Sequence, residues 1–170
     1  SKYRPESLQT IRGNTDAITD LQQWAEEWDE SNPAVILHGV PGIGKTTAAH
    51  ALANDMGWQS IEMNASEQRT EDVVNKVAGG AANMGTLSQG AAGKRLVILD
   101  EADSLHGTVD RGGSSAITSI VKDASQPIVL IANDFYEMSN TLRNSCKTIE
   151  FDLVSDSKIV DLLREISDQE

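Results

Sequence analysis

Apolar positions in this chain follow two alternating patterns. Five short runs, at 34–38, 58–63, 95–99, 127–132 and 147–151, are apolar throughout or alternate with polar residues, the signature of strands. Between them apolar residues recur at spacings of three and four. Ile18, Leu21, Ala25 and Trp28 form one face of a helix capped by Thr15 or Asp16 and running to about 29, with Trp24 beside that face. A second helix spans 47 to about 56, where Gly57 is a fitting stop. A third covers about 71–78 with Val73, Val74 and Val77 inward, and a fourth starts at Ser114 or Ser115 and reaches about 123. Residues 139–144 read as a helical turn or loop. Run 147–151 alternates, which places it near a sheet edge. Pro33, the polar turn 64–70 and the loops 79–93 and 104–113 separate the elements. A last helix, capped by Ser155, puts Ile159, Leu162, Leu163 and Ile166 on one face. Nothing in the remaining chain can cover that face, so a further domain is expected to follow. The whole pattern is that of an α/β domain.

The strongest chemical signal sits between the first strand and the second helix. Gly39-Val40-Pro41-Gly42-Ile43-Gly44-Lys45-Thr46 matches G-x-x-x-x-G-K-[ST] in the required strand–loop–helix context. The glycines let successive backbone N–H groups curl around a phosphate, and the helix N-terminus adds partial positive charge. Lys45 is expected to reach the β- and γ-phosphates of a nucleotide, and the Thr46 hydroxyl to ligate Mg²⁺, with Thr47 beside them at the helix start. About 55 residues later the third strand ends in Asp100-Glu101-Ala102-Asp103. An acid at that strand edge belongs beside Mg²⁺, and Glu101 can orient and deprotonate an attacking water. The fourth strand ends at Asn133, where an amide can hydrogen-bond a phosphate or the water, or simply form a turn with Asp134.

The first residues read as a solvated arm, although Tyr3, Pro5 and Ile11 offer flat or apolar surface to an adenine. Loop 79–93 is either a surface loop or an interaction loop offering Met84 and Leu87 to a partner.

Composition narrows the setting. The chain has 170 residues, enough for one such domain with a sizeable core. No apolar run approaches the roughly 20 residues of a membrane span, and no signal-peptide pattern is present. Cys146 is the single cysteine, so an intramolecular disulfide and a cysteine metal site are both excluded, and it reads as a small core residue. A cytoplasmic location is expected. His38, His50 and His106 have no partner at metal-ligand spacing. Net charge is −12, from 26 acidic against 14 basic residues, and the acidic surplus is dispersed rather than gathered in a tail. Acidic balance ordinarily argues against nucleic acid. Dispersed carboxylates with few lysines instead suit a protein that stays soluble in concentrated salt, so the source is expected to be a halophile.

The ordered set GVPGIGKT, LVILDEAD and IAND resembles the AAA+ ATPases. Lys2-Tyr3-Arg4-Pro5, Asn64-Ala65-Ser66-Glu67 and the loop from His106 to Asp110-Arg111-Gly112-Gly113 narrow the resemblance to the archaeal replication factor C large subunits, the clamp-loader family. It covers essentially the whole chain. It implies a P-loop core with a five-stranded parallel sheet in order 5-1-4-3-2 and helices on both faces. Residues 1–152 would form the RecA-like nucleotide-binding domain and 153–170 the start of a helical lid. It implies that Lys45, Thr46, Asp100 and Glu101 act as described and that Asn133 is sensor 1. Tyr3, Arg4, Pro5 and Ile11 would form the adenine pocket.

Implied partners are the small subunits, the sliding clamp (PCNA) and primer–template DNA. Arg69 and Arg111, each at a predicted helix start, become candidates for DNA phosphates, and Met84 and Leu87 for the clamp. The small subunits carry Ser-Arg-Cys before the last strand; here Asn144-Ser145-Cys146 stands there, with Arg143 two positions away. The site would therefore take its arginine finger from a neighbouring small subunit. Two other readings fit the motifs: another AAA+ DNA-remodelling ATPase such as a branch-migration motor, and a nucleotide-bound scaffold that does not hydrolyse.

Overall fold

The computed structural model describes residues 7–11, 13–32, 34–39, 44–67, 94–104, 118, 121–122, 124 and 126–152. Its centre is a five-stranded sheet of β1 (Ala34–Gly39), β2 (Gln59–Asn64), β3 (Arg95–Asp100), β4 (Ile128–Ala132) and β5 (Lys147–Phe151). Every pairing is parallel, and the order β2-β3-β4-β1-β5 is the expected 5-1-4-3-2 viewed from the other edge. The residues of β1 from Ala34 to Leu37 and all of β4 are buried, as central strands covered on both faces must be. Among the described residues β5 pairs only with β1, and it alternates in burial, as its sequence pattern predicts for an edge.

Side-chain alternation splits the core into two layers. On one face Val35, Leu37, Ile98, Val129, Ile131 and Phe151 pack against α1 (Thr15–Glu26), α2 (Lys45–Met56) and Leu8. On the other, Ile36, Val97, Leu99 and Leu130 pack with Met63, Val121, Met138 and Leu142, the last from the short α3 (Asn140–Asn144). The chain runs from central β1 to the far edge at β2 and returns through β3 and β4. The C-terminal ends of β1, β3 and β4 therefore converge where the winding reverses, the position at which open α/β sheets bind ligands.

Three elements differ from expectation. α1 is preceded by Asn14 in the left-handed region (φ 51°), and the Asn14 side chain does not cap it. Asn14 is committed elsewhere: its amide donates to the Asp152 carbonyl at 3.0 Å and accepts from the Asp152 N–H at 2.8 Å, tying the helix start to the end of β5. The helix stops at Glu26 rather than near 29, because Asp29 accepts from the Ser31 N–H and hydroxyl and turns the chain. Its inward face is also rotated, with Ala17, Leu21, Trp24 and Ala25 buried while Ile18 and Trp28 are only partly so. The Trp24 indole N–H finds the Asn32 carbonyl at 3.3 Å, so this ring can be buried without losing its hydrogen bond.

β2 begins one residue later than the apolar run because Trp58 belongs to the α2 stop, its N–H bonding the Ala53 carbonyl at 2.9 Å. β4 likewise begins after Pro127, which has no N–H to give but accepts from Val97 at 3.0 Å. Thr118, Val121 and Lys122 are helical, as expected for the fourth helix. The predicted helix 71–78, loop 79–93, most of loop 104–113 and the last helix lie outside the described residues. No helix among the described residues is long and apolar enough to cross a membrane.

Gly57 ends α2 at φ 69°, with open space around a built Cβ. Gly57→Ala should therefore lower stability by backbone strain alone, about 1 kcal/mol. Gly57→Asn should cost less, since Asn tolerates this region. Chemical denaturation of the two variants beside wild type measures both.

Candidate active site

α2 starts at Lys45, directly after Gly44 in the left-handed conformation (φ 84°). Its first turn borders the convergent strand ends, with Gly44 to Thr47 lining the same cleft as Asp100 and Asn133. Lys45 is only 4% exposed, and its Nζ donates to the Gly39 carbonyl at 2.8 Å. That bond joins the last residue of β1 to the first of α2 and closes the base of the phosphate loop. Burial pushes the Lys45 ammonium below its ordinary pKa, while the Asp100 and Asp103 carboxylates oppose the shift.

Asp100 lies two residues beyond Ile98, on the same face of β3, and so points towards α2. Its Oδ2 accepts from Thr46 Oγ1 at 3.3 Å, and its Oδ1 accepts from the Glu101 N–H at 2.8 Å. Glu101 holds a left-handed backbone (φ 54°), which costs a non-glycine residue about 1–2 kcal/mol. Ser104 keeps it there, its N–H and hydroxyl donating to the Glu101 carbonyl at 2.9 and 2.7 Å. Such strain is sustained where the neighbouring structure enforces it, and it is common at functional positions.

Asn133 follows β4 on the face of Ile131. A cleft of ≈ 360 Å³ is lined by Gly44, Lys45, Thr46 and Thr47 on one side and Asp100, Glu101, Ile131 and Asn133 on the other. Apart from Ile131, every one of these is a residue the motifs single out.

The donor set fits magnesium. Neighbouring ligands in an octahedral Mg²⁺ shell lie about 2.9 Å apart, and Mg²⁺ takes one or two protein oxygens together with substrate phosphates. The Thr46–Asp100 pair is close to that separation. Among the described residues no group of three or more His, Cys, Asp or Glu side chains could hold a metal ion.

A family model for the AAA proteins (ATPase family associated with various cellular activities) matches residues 35–153. The chain belongs to the AAA ATPase family. It is 61% identical over 169 residues to the "Replication factor C large subunit" of Haloarcula marismortui, covering 99% of this chain and 33% of that protein. The protein of the same name from Halobacterium salinarum is 59% identical, with 99% and 36% covered. That from Methanosarcina mazei is 53% identical over 172 residues, with 99% and 28% covered. The chain thus spans about a third of the length of the curated relatives it matches. These relatives carry the name that the motifs point to, and the haloarchaeal ones agree with the dispersed acidic composition.

The structure brings Gly44, Lys45, Thr46, Thr47, Asp100, Glu101 and Asn133 together around one cleft, with Gly39 at its base. Ile11 is half-buried against the core layer that carries α2. Tyr3, Arg4, Pro5, Val40, Pro41, Gly42, Ile43, Arg69, Met84, Leu87 and Arg111 lie outside the described residues. Cys146 packs half-buried against the second core layer, and burial pushes its thiol up to about 12. His50 meets Glu62 at 3.2 Å. The Arg143 guanidinium lies over Phe135 and Tyr136, 5.2 and 5.4 Å from their ring centroids, and donates to Asn140.

Sequence reasoning missed three features near the cleft. Ile131 could have been found by stepping back two positions from Asn133 along β4. Asp103 accepts from the Asp134 N–H at 3.0 Å, a role that its position after Asp100-Glu101 does not announce. His38 stacks on Phe135, with centroids 4.2 Å apart and planes at 21°.

His38 gives a pH prediction. Burial lowers its pKa from the ordinary 6.5, with Lys45 acting in the same direction and Glu150 and Asp152 against it. The unfolded chain then binds the proton more readily than the folded one. This contribution to stability is complete above about pH 6.5 and is lost as pH falls through the lowered folded value. His38→Phe keeps a ring on Phe135 and cannot titrate. Melting curves from pH 8 to 5 should show a shallower acid decline for the variant than for wild type.

Proposed function

We propose that this chain is the nucleotide-binding part of a clamp-loader ATPase subunit, hydrolysing ATP with Mg²⁺ to drive loading of a sliding clamp onto primer–template DNA. The observation that carries the reading is the convergence of Lys45, Thr46, Asp100, Glu101 and Asn133 on one cleft in a chain of this family.

The phosphates lie against the first turn of α2, where backbone N–H groups and partial positive charge favour an anion. Lys45 supplies a cation, fixed by its bond to Gly39 so that little ordering remains when substrate enters. Thr46 and Asp100 would hold Mg²⁺, which would offset the charge on the transferring phosphoryl group. Glu101 takes a proton from a water whose oxygen attacks the γ-phosphorus. The bond to the β–γ bridging oxygen breaks, and ADP and phosphate result. Asn133, facing the same cleft, orients that water or a γ-phosphate oxygen.

On this reading residues 1–152 are the nucleotide domain and 153–170 begin the lid. The partners are replication factor C small subunits, the clamp and DNA, in the cytoplasm, and full activity needs those partners. The arginine finger comes from a neighbouring small subunit, since Ser145 stands at the finger position and Arg143 is engaged by its own ring pair.

The test is ATP turnover by the full-length protein with its small subunits in high KCl, with and without clamp and primed DNA. Clamp and DNA together should stimulate turnover strongly; indifference to the clamp would refute the loader reading. Glu101→Gln should lower kcat by about 100-fold or more while ATP still binds. Lys45→Ala should weaken ATP binding itself.

A further inference from the structure

Asn133 is exposed, so packing does not orient its side chain. Its direction must come from the backbone on either side. β4 supplies this only up to a point. On the β3 side the ladder ends with Leu99 opposite Leu130, three residues short of Asn133. On the β1 side it ends with His38 opposite Ala132. Past both ladders, one side chain from each flank reaches the turn that follows. From the β3 side Asp103 accepts the Asp134 N–H at 3.0 Å. From the β1 side the ring of His38 stacks on Phe135 at 4.2 Å. The turn is also closed internally, by Glu137 N–H to the Asp134 carbonyl at 3.1 Å and Met138 N–H to the Phe135 carbonyl at 3.2 Å.

We propose that Asp103 and His38 are positioning residues that extend the two strand ladders and so fix Asn133 against the reacting groups of the cleft. The proposal rests on the hydrolytic reading of Asn133 given above. Asp103 also follows Glu101 by two residues in the turn that Ser104 closes on the Glu101 carbonyl. One short segment thereby carries both the base and the carboxylate that holds the turn after Asn133. His38 precedes Gly39, whose carbonyl receives Lys45, so the stack ties the turn after Asn133 to the end of β1 beside α2. A shift of Asn133 changes the geometry of the transferring group without removing any phosphate contact. Loss of either support should therefore act on kcat rather than on ATP affinity.

The experiment uses the full-length protein assembled with its small subunits, clamp and primed DNA. It measures kcat, ATP affinity with a fluorescent ATP analogue, and thermal melting. Asp103→Ala and His38→Ala should each lower kcat about tenfold; His38→Ala should leave affinity within about twofold, and Asp103→Ala should share any affinity change with Asp103→Asn, which loses the same charge near Lys45. Asp103→Asn keeps an acceptor oxygen and His38→Phe keeps the stack, so both should recover most of the lost rate. The Asn133→Ala background separates the outcomes. If Asn133→Ala is slow and adding Asp103→Ala slows it less than about twofold further, the positioning role stands. If the two losses multiply, if Asp103→Ala and His38→Ala turn over at the wild-type rate, or if the conservative variants fail to recover, it is overturned while the hydrolytic reading survives. If Asn133→Ala itself is as fast as wild type while Glu101→Gln is inactive, the Asn133 reading falls and the positioning role falls with it.

Discussion

Burying an ammonium group costs free energy unless hydrogen bonds and opposite charge answer it. Lys45, almost wholly enclosed, sets that condition for the whole site. The Gly39 carbonyl meets one of its protons, and Asp100 and Asp103 favour its charged form. Each answer fixes a piece of architecture. Gly39 can serve only if β1 ends beside the start of α2. Asp100 and Asp103 can serve only if β3 ends level with β1 although β4 lies between them in the sheet. Parallel strands meet this requirement because all their C-terminal ends lie at one edge. The fold thus delivers the cation, the helix N-terminus and the acids to one place from segments more than fifty residues apart in the chain.

The period of two along each strand then divides the labour between the faces of the sheet. Asp100 and Asn133 continue the rows of Ile98 and Ile131, which face α2, and so reach the cleft. His38 continues the row of Ile36 on the opposite face, where Phe135 packs. The cleft sits on the α2 face, and the His38–Phe135 stack sits behind it. Such a support can be rigid without occupying the space a phosphate needs. The left-handed Glu101 marks the same division. Its backbone turns sharply at the strand end, so the acid after Asp100 enters the cleft instead of following the strand's alternation to the other face.

What the sequence made legible depended on how local the cause was. The start of α2 was readable because Gly44, Lys45 and Thr46 are contiguous, and their place at a helix start beside the cleft follows from local backbone. The strand-end acids were readable because a short apolar run fixes where the strand stops. β5 was readable as an edge because its alternation reports one covered face. The strand order itself came from family resemblance, since no local pattern says that β4 inserts between β3 and β1. Caps and faces went astray where the decisive contact was distant. Asn14 rather than Thr15 stands before α1 because Asp152 claims its amide. Trp24 turns inward because the Asn32 carbonyl is there to receive its N–H. Asp103 and His38 were invisible as supports for the same reason: their targets, Asp134 and Phe135, are about 31 and 97 residues further along the chain.

A net charge of −12 around an anion-binding cleft poses an electrostatic problem that distance and salt resolve. In dilute buffer a dispersed acidic surface would repel a nucleotide approaching from solvent. At 1 M salt the screening length falls to about 3 Å, so carboxylates beyond direct contact contribute almost nothing. The interactions that survive are those within bonding range in a partly enclosed site: Lys45, the N–H groups of the first turn of α2, and Thr46 beside Asp100. A surface shaped for solubility in salt and a site shaped for phosphate can therefore coexist in one small domain. The same screening weakens contacts to exposed phosphates through reduced counterion release, so short-range contacts carry a larger share of any binding at high salt.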